Sequence, residues 1–352
     1  MKLSEATLAA IAGQACGDSF GAPYEYQPNA PEMAQLSMDE ERYVCSKDDV
    51  GQPRPEFWRM PGVYTDDTQQ ALLLMWLWMN AKDPTDAKQI RREFMRWCQI
   101  MAREDIPGSG FGIHRGTGAN FREAVERGAP IKTAGLGAPM RIGPVATMME
   151  DPALVMPWSV QVSLATTKDP ISIAGTVLFA MVCWQQAHPG ALSSPKDWGQ
   201  VPAVIVDAWK TYLPALRILR IEGEDALLEF ASRNGSNKKL DCAANGFALT
   251  GVPWAILHGY QSPTYSEALL KTAASGGDTD TVCAMAGCLS AIRLGKDAIP
   301  SWMTKKLEGW DHIQDPTSWD PWESEMPLTE ADAGFRRDFS GFRRATLNIP
   351  TN

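Results

Sequence analysis

The chain is poor in the residues that build the commonest metal and redox sites. It has four histidines in 352 residues, none spaced to share an ion with another. The seven cysteines are odd in number and scattered, and no C-x-x-C pair occurs. That argues against a zinc cage and a disulfide framework; reduced, mostly buried thiols are the better reading. No long basic block is present and the net charge is -9, which argues against nucleic acid as the main partner. A small anionic ligand, which needs only a local site, stays open. Long apolar runs are missing too: residues 171–184 form the longest, short of the ~20 needed to span a bilayer. The opening "MKLSEATLAAIAGQA" has the outline of a signal peptide, but Glu5 and the short apolar run count against one. The expectation is a soluble, cytoplasmic protein with no membrane partner.

Alternating β patterns are scarce; "SVQVSLA" at 159–165 is the best strand candidate. Helical periods dominate and predict helices over 4–20, 66–80, 87–101, 120–127, 171–187, 201–210, 222–234, 241–257, 265–275 and 279–294. Asp169-Pro170 marks one start, and Thr264 with Glu267 reads as a capping box. The fold class is all-α, one domain over 1–352, with many helices around a central few. Three irregular stretches stand out: 27–62, rich in proline and acids; 106–118, rich in glycine; and 133–144. Long loops in a helical domain are more often functional than idle. The end of the chain, 312–352, carries "GFRR" twice, seven residues apart. Phe335 and Phe342 would share a helix face, as in a docked amphipathic tail or a partner-binding motif.

What is abundant is acid at the mouths of greasy helices. "YTDDTQQALLLMWLWMN" sets Asp66 and Asp67, flanked by Thr65 and Thr68, before a run with almost no polar break. "SGGDTDTVCAMAGCLSAIRLG" repeats the pattern with Asp278, Thr279, Asp280 and Thr281. Capping explains either cluster alone, because Asp and Thr satisfy free N–H groups. It fits the pair poorly, since one cap needs one side chain. Four acids beside buried helices are costly unless cations neutralise them. Carboxylate and hydroxyl oxygens without His or Cys suit hard ions such as Mg²⁺ or Mn²⁺, and no EF-hand spacing is present. A third element, "GQACGDSFGAPYEY", ends a helix in glycine-permitted turns and delivers Glu25; Asp18 caps or holds backbone there.

Together the three motifs resemble the ADP-ribosylglycohydrolase family, which includes enzymes that remove ADP-ribose from arginine on dinitrogenase reductase and other proteins. "GDSFGAPYE" looks like its N-terminal motif, "YTDDTQQALLL" its first metal motif and "GGDTDTVCAMAGCLSA" its last. "GAPMRIGPVA" is similar to its central Met-Arg motif, and "IPSWMTKKL" to the segment after the last metal helix. The resemblance implies a compact orthogonal multi-helix bundle with two Mg²⁺ or Mn²⁺ ions beneath the ribose whose C1″ bond is cut. The implied metal ligands are Thr65, Asp66, Asp67, Asp278, Asp280 and Thr281. Glu25 corresponds to the glutamate of a mobile loop guarding the metals, and Glu25, Asp67 and Asp280 are the candidates for handling protons. Gly110, Phe111 and Gly112, with Thr133, Gly135 and Gly137, correspond to loops that wrap the diphosphate and adenosine. Backbone N–H groups in such loops cradle phosphate without basic side chains.

Two departures from the family pattern matter: Thr167 stands where a histidine is common, and Leu136 where an asparagine is common. Both positions usually serve ligand contacts. The implied reaction is hydrolysis of the N-glycosidic bond between ADP-ribose and an arginine of a modified protein substrate. Two rival readings differ in kind. One is a hydrolase of serine-linked or small-molecule ADP-ribosyl compounds; the other is an immunity-type protein that binds and neutralises an ADP-ribosyltransferase toxin.

Overall fold

The computed structural model describes residues 2–44, 61–103, 115–191, 199, 203–234 and 246–321. Within them lie fifteen α-helices and no strands, only two isolated β-bridges. In chain order the helices are α1 (Glu5–Gly21), α2 (Ala30–Asp39), α3 (Asp66–Asn80), α4 (Ala87–Arg103), α5 (Ala119–Arg127), α6 (Gly143–Ala146), α7 (Pro152–Ser163) and α8 (Pro170–Ala187). They continue with α9 (Ala203–Glu222), α10 (Glu224–Arg233), α11 (Ala248–Gln261), α12 (Tyr265–Ala273), α13 (Thr279–Leu294), α14 (Ser301–Lys306) and α15 (Trp310–Gln314). The all-α expectation holds. So do several start signals: Asp169 accepts from the Ile171 N–H at 3.0 Å, and Thr264 from the Glu267 N–H at 3.1 Å.

The centre of the fold is α13, buried from Thr279 to Ile292 and packed against α1, α8, α11 and α12. Its closest partner is α1. A Cβ placed at Gly13, Gly17 or Gly21 would overlap the backbone oxygen of Gly287, Cys283 or Thr279 respectively. The paired numbers run in opposite senses, so the two helices are antiparallel and touch backbone to backbone. Glycines at four-residue spacing make one bare face on α1, which lets the axes approach closely. The Tyr265 hydroxyl donates to the Gly13 carbonyl at 2.7 Å and pins the same seam. This contact brings the C-terminal end of α1 to the N-terminal end of α13.

Helix α3 is held by its greasy face. Leu72, Leu73, Leu74 and Met75 are almost fully buried, each worth about 1.5–3 kcal/mol of removed apolar surface. Trp76 meets Trp97 of α4 edge-on at 5.1 Å, and Trp78 meets Trp158 of α7 at 5.5 Å.

The structure corrects some expectations. Residues 159–165 are no strand: up to Ser163 they belong to α7, where Val155, Ser159, Val162 and Ser163 are buried at helical spacing. The short valine alternation there coincides with a helix face, and Asp151 caps the start by accepting from the Ala153 N–H at 2.9 Å. The stretch 27–62 contains α2, whose Pro31 near the first turn suits a helix start. Helix α9 runs twenty residues through Pro214, well past the predicted end at 210. Helix α8 is longer than the apolar run read from sequence and is, by length and composition, long enough to cross a membrane. Ten of its residues are nevertheless buried, and it packs against α7, α9, α11 and α13. Cys16, Cys98, Cys183, Cys283 and Cys288 are free and buried. Near the end of the described chain Ile313, Pro316 and Trp319 are buried. The "GFRR" repeats lie outside the described residues.

Candidate active site

The start of α3 is fixed from outside the helix. Asp18, near the end of α1, is fully buried and its carboxylate accepts from the Thr65 N–H at 3.0 Å, the Thr68 N–H at 3.1 Å and the Thr68 hydroxyl at 2.6 Å. Asp18, together with the Thr65 hydroxyl that accepts from the Asp67 N–H at 3.4 Å, thus does the capping that Asp66 and Asp67 were candidates for. Those two are free to face elsewhere. Burial pushes Asp18 up to about 7, with the hydrogen bonds from Thr68 and Thr65 pulling the other way. The Asp66 N–H donates to the Arg115 carbonyl at 2.7 Å. Arg115 in turn forks onto Glu308 at 2.9 and 3.1 Å and stacks over the Tyr64 ring at 4.4 Å.

The start of α13 is set by two glycines. Gly276 and Gly277 both have positive φ, 67° and 78°, a conformation that costs other residues energy. The turn presents the Gly277 carbonyl to the Tyr26 N–H at 2.8 Å and so sets Glu25 beside α13. Ligating oxygens of Glu25, Asp278 and Asp280 all lie within 4.8 Å of one another. Asp278 occupies the cap position of α13 yet makes no capping hydrogen bond.

The two clusters converge. The Thr65 hydroxyl donates to Asp67 Oδ2 at 3.0 Å, and the Thr281 hydroxyl reaches the same oxygen at 3.4 Å. Glu25, Asp66, Asp67, Asp278 and Asp280 open into one cleft of about 370 Å³. The opposite face of Asp67 is left unanswered: its Oδ1 is buried without a partner, as is Oδ1 of Asp280. Burial first, then the neighbouring negative charges, pushes Asp66, Asp67 and Asp278 well above the usual carboxylate range. For Asp66 and Asp278 the largest charge contribution is Asp280; for Asp67 it is Asp18, then Asp280. Among the described residues no Lys or Arg lines the cleft in front of this cluster, so its charge is uncompensated there. Orphaned buried oxygens, an all-oxygen donor set and a shared opening fit a hard divalent cation.

Known proteins match most of the chain. The family model described as ADP-ribosylglycohydrolase matches residues 1–329. The chain belongs to the ADP-ribosylglycohydrolase family. It is 26% identical over 306 residues to the ADP-ribosyl-[dinitrogen reductase] glycohydrolase of Rhodospirillum rubrum, covering 86% of this chain and 90% of the relative. The solved structure titled "ADP-ribosylglycohydrolase-related protein complex" shares the fold, with a TM-score of 0.57 and 22% identity over 89% of this chain and 95% of its own. ADP-ribosylglycohydrolases are hydrolases that remove ADP-ribose, and a multi-helix bundle is their fold.

In this ADP-ribosylglycohydrolase the cleft wall away from the acids is the 133–138 segment. Its carbonyls are tied down one after another. Thr133 accepts from the Thr167 hydroxyl at 2.6 Å, Ala134 from the Ala248 N–H at 2.8 Å, and Gly135 from the Ser172 hydroxyl at 2.8 Å. Asn120 holds the Thr133 hydroxyl at 3.1 Å. Gly137 has open space where a Cβ would stand. Thr133, Gly135 and Gly137 line the cleft. Gly110, Phe111 and Gly112 lie outside the described residues.

The two departures have structural readings. Thr167 spends its hydroxyl on the Thr133 carbonyl and the Asp169 N–H, so it braces the wall. Leu136 is buried, packed against Gly251 of α11. Sequence reasoning missed the helix cap formed by Asp18 across elements and the side chains of Gln70, Asn120 and Ser172. For Gln70 a signal existed: it stands four residues after Asp66, one turn along the same helix face.

Proposed function

We propose that this ADP-ribosylglycohydrolase is a metal-dependent enzyme that cuts the N-glycosidic bond between ADP-ribose and an arginine side chain of a modified protein. The observation that carries the reading is the meeting of Asp66 and Asp67 with Asp278, Asp280 and Glu25 in one cleft, with two buried carboxylate oxygens left unpartnered. Thr65, Asp66, Asp67, Asp278, Asp280 and Thr281 would hold two Mg²⁺ or Mn²⁺ ions. When bound, such ions orient ribose hydroxyls and make a bound water more acidic.

The chain's own groups supply the rest. The 133–138 wall offers glycine backbone to the diphosphate side of the ligand, its carbonyls already occupied by neighbours. Positive character grows at C1″ as the bond to nitrogen lengthens, and the cleft's carboxylates lower the energy of that charge. Glu25, half-buried at the cleft mouth, takes the proton of the attacking water and returns one to the departing guanidine nitrogen. Asp67 and Asp280 would serve the cations as ligands and leave the proton transfer to Glu25. Support for a protein-borne substrate comes from the Rhodospirillum rubrum relative, an ADP-ribosyl-[dinitrogen reductase] glycohydrolase by name. An immunity-type reading would use the 27–62 stretch and the "GFRR" tail; residues 45–60 and the tail lie outside the described residues, and nothing among the described ones favours that reading.

The test replaces Asp67 or Asp280 by alanine. Release of ADP-ribose from an arginine-modified protein should fall by at least a thousandfold while the helical circular-dichroism spectrum persists. Activity retained in both variants overturns the proposal. Faster release from serine-linked than from arginine-linked substrate assigns the enzyme to the other bond.

A further inference from the structure

A buried arginine stands behind the acids with no acid of its own. Arg141 is fully buried in the turn Pro139–Arg141. None of the ion pairs among the described residues includes it. Its guanidinium donates to the Val162 carbonyl at 3.1 Å, the Thr166 hydroxyl at 2.8 Å and Gln70 Oε1 at 2.8 Å, and lies over the Phe94 ring at 4.6 Å. Gln70 passes the contact on: its Nε2 donates to Asp66 Oδ2 at 2.6 Å. Burying a guanidinium among apolar groups is costly, and a hydrophobic side chain of that volume would serve packing as well.

Resting on the divalent-cation reading of the cleft, we infer that Arg141 and Gln70 form a positioning relay that decides which oxygen Asp66 offers to a cation. A guanidinium only donates, so it accepts no other orientation of the Gln70 amide than Oε1 toward itself. The amide NH₂ must then face Asp66. That bond occupies Oδ2 and fixes the carboxylate plane, leaving Oδ1 as the ligand atom. It also places one fixed positive charge two hydrogen bonds behind a cluster whose front is reserved for the ion. Neither residue touches the substrate; both act through Asp66.

The test is Mn²⁺ binding, followed by electron paramagnetic resonance of the free ion, in metal-stripped wild type, Gln70→Met and Gln70→Glu. Methionine fills the space but donates nothing. Glutamate keeps Arg141 paired while removing the donor to Asp66, so it decides the matter if Gln70→Met does not fold. Each variant should bind Mn²⁺ roughly 10- to 100-fold more weakly, the usual cost of losing an outer hydrogen bond to a metal ligand. A purely structural role would lower the melting temperature in EDTA yet leave the dissociation constant of the folded protein unchanged. Wild-type affinity in the variants overturns the relay and leaves the metal reading standing. Failure of wild type to bind Mn²⁺ overturns the metal reading and the relay with it.

Discussion

The acidic cluster makes the metal-free protein a pH-sensitive object, and the sign can be worked out. Asp18 ionises at about 7 in the fold, against 3.8 for a free carboxyl. Because the folded value is raised, the folded state holds its proton where the unfolded chain has already lost it. The stabilisation is therefore fully present below about pH 4 and is lost as pH rises toward 7. Burial and the neighbouring acids push Asp66, Asp67 and Asp278 in the same direction, so they add to the loss as pH rises. Between pH 5 and 8 Asp18 alone removes about 3 kcal/mol of stability. For a chain of this length that corresponds to a fall of about 4 °C in Tm, and the other acids add to it.

If the proposed site is right, a divalent cation should reverse the trend, because it would bind the charged carboxylates of the folded state. At a free concentration a hundred times its dissociation constant it returns about 2.7 kcal/mol. Protons compete with it, so the gain should be larger at pH 8 than at pH 5. The assay is a set of melts at pH 5, 6, 7 and 8, each in EDTA and in 1 mM Mn²⁺. In EDTA the Tm should fall with pH, and Mn²⁺ should flatten the curve from its alkaline end. A Tm that is flat or rising in EDTA over this range, or a Mn²⁺ shift as large at pH 5 as at pH 8, would refute the reasoning.

Two further outcomes test the frame around the site. Gly17→Ala puts a methyl group into the Cys283 carbonyl and should cost about 1–3 kcal/mol by forcing α1 and α13 apart; a melt reads the loss, and Mn²⁺ affinity should drop with it because Asp18 and Asp280 sit on the separated helices. Thr167→Val removes the hydroxyl that holds the Thr133 carbonyl and should raise KM for the ADP-ribosylated substrate about tenfold with kcat little changed. Equal losses in kcat and KM terms would instead place Thr167 at the reacting bond.

The helices that face the core were legible because their apolar residues recur at a period no other element shares. Asp66–Asn80 and Thr279–Leu294 match their predicted bounds, since each starts where acid and threonine meet a run of buried residues. Residues 159–165 were misread because Val160 and Val162 mimic a strand over a window too short to separate periods of 2 and 3.6. Helix α2 was hidden in a proline-rich, acidic stretch whose composition resembles a loop. At the site, the acids could be read one cluster at a time, but their meeting depends on the α1–α13 seam, a contact between residues more than 250 positions apart. Asp18 shows the same limit. Its hydrogen bonds reach Thr65 and Thr68, some fifty residues on, so nothing in its own neighbourhood announces a cap for another helix.

That cap also explains why two acids can stand at one helix start. A helix N-terminus ordinarily claims the nearest carboxylate for its free N–H groups. Here the claim is met from α1, and the positive end of α3 remains to offset Asp66 and Asp67 without binding them up. At α13 the side chain in the cap position is not used for capping at all. Both helices therefore spend their dipoles on acids that are held in place but not consumed. The glycine seam supplies the rigidity, the greasy face of α3 prevents retreat, and the carboxylates have one direction left, the cleft. A surface cap cluster can satisfy its oxygens locally; the unpartnered Oδ1 atoms of Asp67 and Asp280 are what the proposed cation site has and an ordinary helix start lacks.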